Sequence, residues 1–359
     1  MSALDGIVVL DLTRLLPGAT ATLTLVEHGA EVIKIEQPGA GDYSRTMNAA
    51  VFARTNGGKK SVAIDLKNPA GRDALLALSV AADVLIEGFR PGVMARLGLG
   101  YDVLRARNQR LIYASLTGYG QTGPYATLAG HDINYMALGG VLGLCLPAIP
   151  GVQIADLAGG AMRAVNATLL ALLDRHRTGL GSRLDISMLD GVRSLLTSPL
   201  AGDTATLSGR YACYNVYRTG DGRWLALGAL EPKFWQELCR RLDCEALIAW
   251  QFTDAKQAEA KARIAEILLG KTAIEWFELL SDSDCCLTPV LTPDEAAAGM
   301  APPAEPAPHW ASTRARYFYA PDFLNSIWTT LFAKEPLHER SLLPAPGQPG
   351  LSQQRGRRS

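Results

Sequence analysis

Several things are missing from this 359-residue chain, and each absence removes a class of function. Charge of one sign is not in excess, since 35 Lys and Arg stand against 35 Asp and Glu. No bulk field gathers nucleic acid or an anionic membrane, and neither is expected as a partner. No uninterrupted apolar run reaches the ~20 residues that span a bilayer. The opening MSALDGIVVLDLT has no basic region followed by an apolar stretch and a cleavage site, so it reads as a first β-strand of a cytoplasmic protein. Cysteine is sparse: Cys145, Cys213, Cys239, Cys244, Cys285 and Cys286 form no CxxC pair and have no His at zinc-ligand spacing. They read as reduced, mostly buried thiols without a metal. Internal repeats are absent too.

What is there is alternation. The apolar, β-branched run Gly6–Thr13 suits a buried parallel strand. Pro17 and Gly18 open a helix of small residues, Gly29 closes it, and Glu31–Glu36 is a second strand. This βαβ unit resembles half of a nucleotide-binding fold but carries no GxGxxG, which takes most of the support from a nicotinamide or flavin site. SVAIDL, DVLIEGF, RLIYASLTG and RLDISM continue the strands, with helical segments between them. The fold class is therefore α/β, a Rossmann-like large lobe with a parallel sheet over residues 1–200. Residues 201–296 change character: YNVYRTGDGRWLALG reads as a hairpin turned at Gly220–Gly222, followed by helices, which makes a smaller α+β lobe. Residues 297–359 read as a Pro-rich linker, an atypical return segment and a disordered tail.

Three acid–base candidates stand out. His131 lies among small and apolar residues in AGHDINYMALGG. Asp156 ends an apolar extended run before two glycines that open a helix, and Glu231 separates an apolar strand from Pro232. Three titratable groups at strand or loop ends are the material of proton transfer. Each also has a plainer explanation: a core histidine, a helix N-cap and an acid at a helix start. At the start of a helix, the free amides of Asp156 and Leu157 could hold a developing oxyanion. Lys59, Lys60 and Arg90 sit at loop edges of the alternation, where phosphate contact or plain solvation are both open. Gly118, Gly120 and Gly123 let the backbone come close to a ligand.

At these residues the chain resembles the class III CoA-transferase superfamily over roughly its first 295 residues. The segments that carry the likeness include LPGATATLTLVEHGAEVIKIEQPG, GGKKSVAIDLKNPAGR, ADVLIEGFRPGVMARLGLGYDVL, GHDINYMALGG and RTGLGSRLDISMLDG. The LPG after the first strand, GHDINY and GALEP point to its α-methylacyl-CoA racemase branch. That resemblance implies that His131 and Asp156 are bases on opposite faces of the substrate α-carbon, with Glu231 tuning the histidine and Asp132 supporting it. It implies inversion of a 2-methylacyl-CoA thioester by 1,1-proton transfer, the CoA being part of the substrate and no separate cofactor being needed. Lys59, Lys60 and Arg90 are implied at the phosphates and adenine of CoA. The alternatives are CoA transfer between carboxylic acids through an acyl anhydride on Asp156, and an inactive acyl-CoA-binding homologue. The superfamily also implies an interlocked homodimer with each active site between the large lobe of one chain and the small lobe of the other. Two departures are visible. Gln37 stands where relatives often carry Arg, and MAPPAEPAP replaces the usual Gly-Glu-His-Thr ending.

Overall fold

A computed structural model describes residues 2–299 of the chain. The linker and tail expected over 297–359 lie almost wholly outside the described residues. Six parallel strands form the main sheet: β1 (Val8–Leu12), β2 (Glu31–Glu36), β3 (Lys60–Ala63), β4 (Val84–Glu87), β5 (Ile112–Thr117) and β6 (Arg183–Ser187). Their order is β3-β2-β1-β4-β5-β6, so the strand order reverses between β1 and β4. Every neighbouring pair is parallel. Both faces are covered. Val8, Leu10, Leu12, Ile33 and Leu85 pack on one side, while Val9, Val32, Val84, Ile112 and Ala114 pack on the other. Burial on both faces explains why these strands read as continuous apolar runs rather than alternating ones.

A second sheet of three antiparallel strands, β7 (Tyr214–Arg218), β8 (Trp224–Gly228) and β9 (Leu287–Pro289), follows in the order β7-β8-β9. Gly222, at φ 77°, closes the turn between β7 and β8, a backbone conformation that favours glycine. The helices Pro232–Arg241, Gln257–Leu268 and Ala273–Leu280 cover one face of this sheet. Its core, centred on Trp235, Leu238, Ile264 and Leu225, is separate from the cores of the main sheet. All six cysteines are free thiols; Cys213, Cys239, Cys244 and Cys285 are buried and Cys286 is exposed.

Local geometry departs from the sequence expectation at two places that matter for the site. The first helix begins at Leu15, two residues before Pro17, and Leu15 takes φ 61°. The segment around Asp156 is already helical at Ile154, and Ala155–Met162 is a π-helix leading into the α-helix Arg163–Thr178. The glycines after Asp156 therefore do not open a helix. Gly159 and Gly191 instead let two helices cross backbone to backbone: a Cβ on Gly191 would collide with the carbonyl of Gly159. That crossing fixes the π-helix against the helix Met188–Arg193. A π-helical turn is uncommon, and such turns recur at functional sites.

Candidate active site

The reversal between β1 and β4 opens a crevice at the carboxyl ends of the strands, the place where open α/β sheets bind ligands. A cleft of about 340 Å³ lies there. Thr13, Arg14 and Leu15 supply its wall after β1, Gly88, Phe89 and Arg90 the wall after β4, and Leu116–Tyr119 the wall after β5. His131, Tyr135 and Asp156 line the same cleft. A second hollow adjoins it over β1, β2 and β3, lined by Gln37, Pro38, Tyr43 and Lys67 among others, and Arg14 and Phe89 line both. The two hollows thus run together along the sheet edge.

His131 is not buried among apolar residues as its sequence context suggests. It is exposed, at the N-cap of the helix Asp132–Gly139, with its backbone N–H donating to Asn134 Oδ1 at 3.0 Å. Its neighbour Asp132 is buried and accepts the backbone N–H of Asp156 on Oδ1 at 2.8 Å. This single bond ties the histidine turn to the π-helix across 24 residues of chain. It also places two carboxylates together. Burial and then the Asp132 charge push the Asp156 carboxyl from 3.8 up to about 7. Tyr135, one turn after His131, donates its hydroxyl to Gly130 O at 2.5 Å and stacks edge-on against Tyr119 at 5.0 Å. Burial and the neighbouring Asp156, Tyr119 and Asp132 push the Tyr135 phenol far above its ordinary range, so it stays a neutral donor.

The expected oxyanion site at the helix start is not available. The amide of Asp156 is taken by Asp132, and the amide of Leu157 donates to Gln153 O at 3.0 Å. The helix begins earlier than its glycines suggest, so Leu157 already makes an intrahelical bond, and the first-turn amide of Asp156 is capped by a carboxylate. Lys59 is likewise elsewhere. It is buried, with Nζ 2.8 Å from both Ala19 O and Asn56 Oδ1 and 3.3 Å from Asp11 Oδ2. A lysine committed to those three acceptors cannot meet a phosphate. Lys60 pairs with Glu31 at 2.6 Å and lines neither hollow. Arg90 is exposed and on the cleft wall.

The glycine loop divides. GYGQTG, Gly118 to Gly123, spells GxGxxG after β5, yet the next helix begins only at Asp132, so no helix N-terminus faces a phosphate here. Gly118 lines the cleft, and the Tyr135 ring packs so close to it that a Cβ there would collide. Gly120, at φ 83°, serves the turn and does not line the cleft. Glu231 is exposed at the N-cap of the helix Pro232–Arg241 and does not line the cleft of its own chain.

Sequence reasoning passed over Arg14, which is the most connected cation of the site. Its guanidinium donates to Tyr43 OH at 2.9 Å and Gln37 Oε1 at 3.3 Å, and lies 5.5 Å from the centre of the Phe89 ring. The signal was present: Arg14 follows β1 as Arg90 follows β4, two basic residues just beyond adjacent strand ends. Thr117 also lines the cleft, and its buried Oγ1 has no hydrogen-bond partner among the described residues.

The class that this architecture defines is an α/β protein with a ligand crevice at the switch point of a doubly wound sheet, lined by His131, Asp156, Arg14 and Arg90. The sequence model of CoA-transferase family III matches residues 4–313, and the chain belongs to that family. It is 38% identical over 311 residues to the alpha-methylacyl-CoA racemase of Homo sapiens, covering 82% of this chain and 79% of that one. It is 36% identical over 269 residues to the succinyl-CoA:glutarate CoA-transferase of Mus musculus, covering 69% of this chain and 61% of the other. Among solved structures, Rv3272 of Mycobacterium tuberculosis superimposes with a TM-score of 0.77 at 30% identity, over 90% of this chain and 99% of that one. No helix among the described residues is long and apolar enough to cross a membrane.

Proposed function

We propose that this enzyme inverts the α-methyl centre of 2-methylacyl-CoA thioesters by 1,1-proton transfer. The observation that carries the proposal is the shared cleft of His131 and Asp156, with the Asp156 carboxyl raised to about 7 by burial and by Asp132. A carboxyl near neutrality exchanges protons with least penalty in either direction, which inversion requires because the same group is base for one enantiomer and acid for the other. In the forward direction His131 removes the α-proton, the C–H electron pair moves into the thioester carbonyl to form the enolate, and Asp156 delivers a proton to the opposite face. The reverse passage exchanges their roles. Arg14 and Arg90 supply cationic groups for the CoA phosphates, and the hollow over β2 and β3 suits the nucleotide end of the ligand.

Glu231 enters this proposal through a second copy of the chain. Its own cleft does not contain it, and the family resemblance implies that the small lobe of a partner covers the cleft. In that arrangement the partner's carboxylate stabilises the His131 imidazolium. The deciding assay is incubation of a 2-methylacyl-CoA in D2O. Incorporation of deuterium at the α-carbon without an acceptor acid supports racemisation. CoA exchange with a free acid, acyl trapping at Asp156 by hydroxylamine and no α-deuterium would replace it with CoA transfer.

A further inference from the structure

Beneath the cleft lies a cluster of charges that takes no part in the chemistry above. The side chains of Asp11, Lys34, Asp42 and Lys59 are all sealed from solvent, each 1% exposed or less. Lys34 Nζ is 3.0 Å from Asp42 Oδ2 and 3.9 Å from Asp11 Oδ2. The remaining bonds converge on one short segment. Asp11 Oδ1 accepts the backbone N–H of Thr13 at 2.9 Å and its hydroxyl at 2.6 Å, Lys34 Nζ donates to Thr13 O at 2.9 Å, and Asp42 Oδ1 accepts the backbone N–H of Leu15 at 3.2 Å.

That segment is strained. Leu15 holds φ 61°, a left-handed conformation that its Cβ disfavours and that persists only where surroundings impose it. The N-cap residue Arg14 makes no capping bond of its own, and the Asp42 carboxylate takes the Leu15 amide instead. Well-packed apolar side chains would serve a core at least as well as buried ion pairs, so stability alone does not call for four sealed charges. Between Thr13 and Leu15 stands Arg14, whose guanidinium joins the two hollows.

We propose that Lys34, Asp11 and Asp42 form a buried clamp that holds Thr13–Leu15 in its strained shape and so presents Arg14 to the ligand, making Lys34 a positioning residue for CoA-ester binding. The proposal rests on the assignment of the cleft to a CoA thioester. Lys34 never meets the ligand. It acts by neutralising the two carboxylates that grip the segment and by holding the Thr13 carbonyl. Released, Leu15 relaxes to negative φ and Arg14 turns from the cleft.

The test uses Lys34→Met, which keeps the length of the chain and removes the ammonium, with two readouts. Without ligand, hydrogen exchange of the Thr13 and Leu15 amides is expected to quicken at least tenfold, although Lys34 bonds neither amide. With CoA as the probe, calorimetry is expected to show affinity at least tenfold weaker. Adding Leu15→Gly, which adopts the left-handed conformation freely, is expected to bring affinity back to within threefold of the parent. Should Lys34→Met not fold, Asp42→Asn gives the same comparison, because it keeps an oxygen for the Leu15 amide while removing the charge. Unchanged exchange at Thr13 and Leu15, or a loss of affinity that Leu15→Gly does not recover, overturns the clamp. Quickened exchange in a protein whose parent binds no CoA leaves the clamp standing and overturns the ligand assignment.

Discussion

Asp132 Oδ1 accepts the backbone N–H of Asp156 at 2.8 Å, so the residue after the candidate base holds the candidate acid in place while repelling its negative charge. One side chain fixes the position and adds to the proton affinity that burial has already raised. Asp132→Asn separates the two effects, since the amide oxygen still accepts the bond and the like charge is gone. The Asp156 carboxyl then falls from about 7 by the part that the Asp132 charge contributes, while burial still holds it above its ordinary value. A base works only when deprotonated, so the acid limb of the rate of α-proton exchange should move to lower pH by about 1 unit. A limb that does not move would show that Asp132 does not tune Asp156.

Arg14 and Arg90, rather than Lys59 and Lys60, are the cations on the cleft wall. Replacing both with Gln should weaken CoA binding by at least about 1.5 kcal/mol if they form charge-assisted contacts with its phosphates. Lys60→Ala should leave affinity within error, because that side chain pairs with Glu31 away from both hollows. Calorimetry on the two variants reads the difference directly, and the opposite ranking refutes the assignment.

The sheet was legible in the sequence because parallel strands buried on both faces appear as apolar runs, and the observed Glu31–Glu36 strand coincides with the one expected. His131, Asp156 and Arg90 were legible as polar groups at element ends facing one crevice. Lys59 was not. A lysine after a Gly-Gly turn looks like a solvated loop charge until the fold brings Asp11 to it across 48 residues. The start of the helix around Asp156 was misplaced for a related reason: Gly159 and Gly160 look like a helix opening, while their use is close packing against residues more than 25 positions later. Local pattern shows which side chains are unusual, and long-range contact decides what their polar atoms are spent on.

Acid stability should report the buried cluster. Burial alone raises the Asp11 carboxyl, but Lys34, Lys59 and the hydroxyls of Thr13 and Thr22 overcome it and hold it at about 2, against 3.8 for the free group. A depressed carboxylate contributes stability above the unfolded value and loses it as pH falls through the folded value, so about 2 kcal/mol should disappear between pH ~4 and ~2. Urea melts of the parent should show that loss as one component of a steeper fall. Asp11→Asn should be less stable at pH 5 and should lose less on acidification. An Asn variant with the parent's full pH dependence would contradict the pairing.

Composite sites predict complementation. Neither His131→Ala nor Glu231→Gln should retain full racemase activity, but chains of the two kinds co-expressed and purified as the mixed dimer should recover it in one of two sites. In that dimer one site combines the intact His131 of one chain with the intact Glu231 of the other. Activity no greater than the two variants apart, or a monomer near 38.4 kDa by light scattering, would place Glu231 outside the site.

The measurement that bears most directly on the proposed chemistry follows each enantiomer of a 2-methylacyl-CoA in D2O with His131→Ala and with Asp156→Ala. Each base serves one face, so each variant should lose inversion while still exchanging the α-proton of one enantiomer, and the two variants should choose opposite enantiomers. Exchange that outlives racemisation, with mirrored stereochemical preference, is the result the proposal predicts. Loss of all exchange in Asp156→Ala, with His131→Ala unimpaired and an acyl group trapped at Asp156 in the parent, would contradict it.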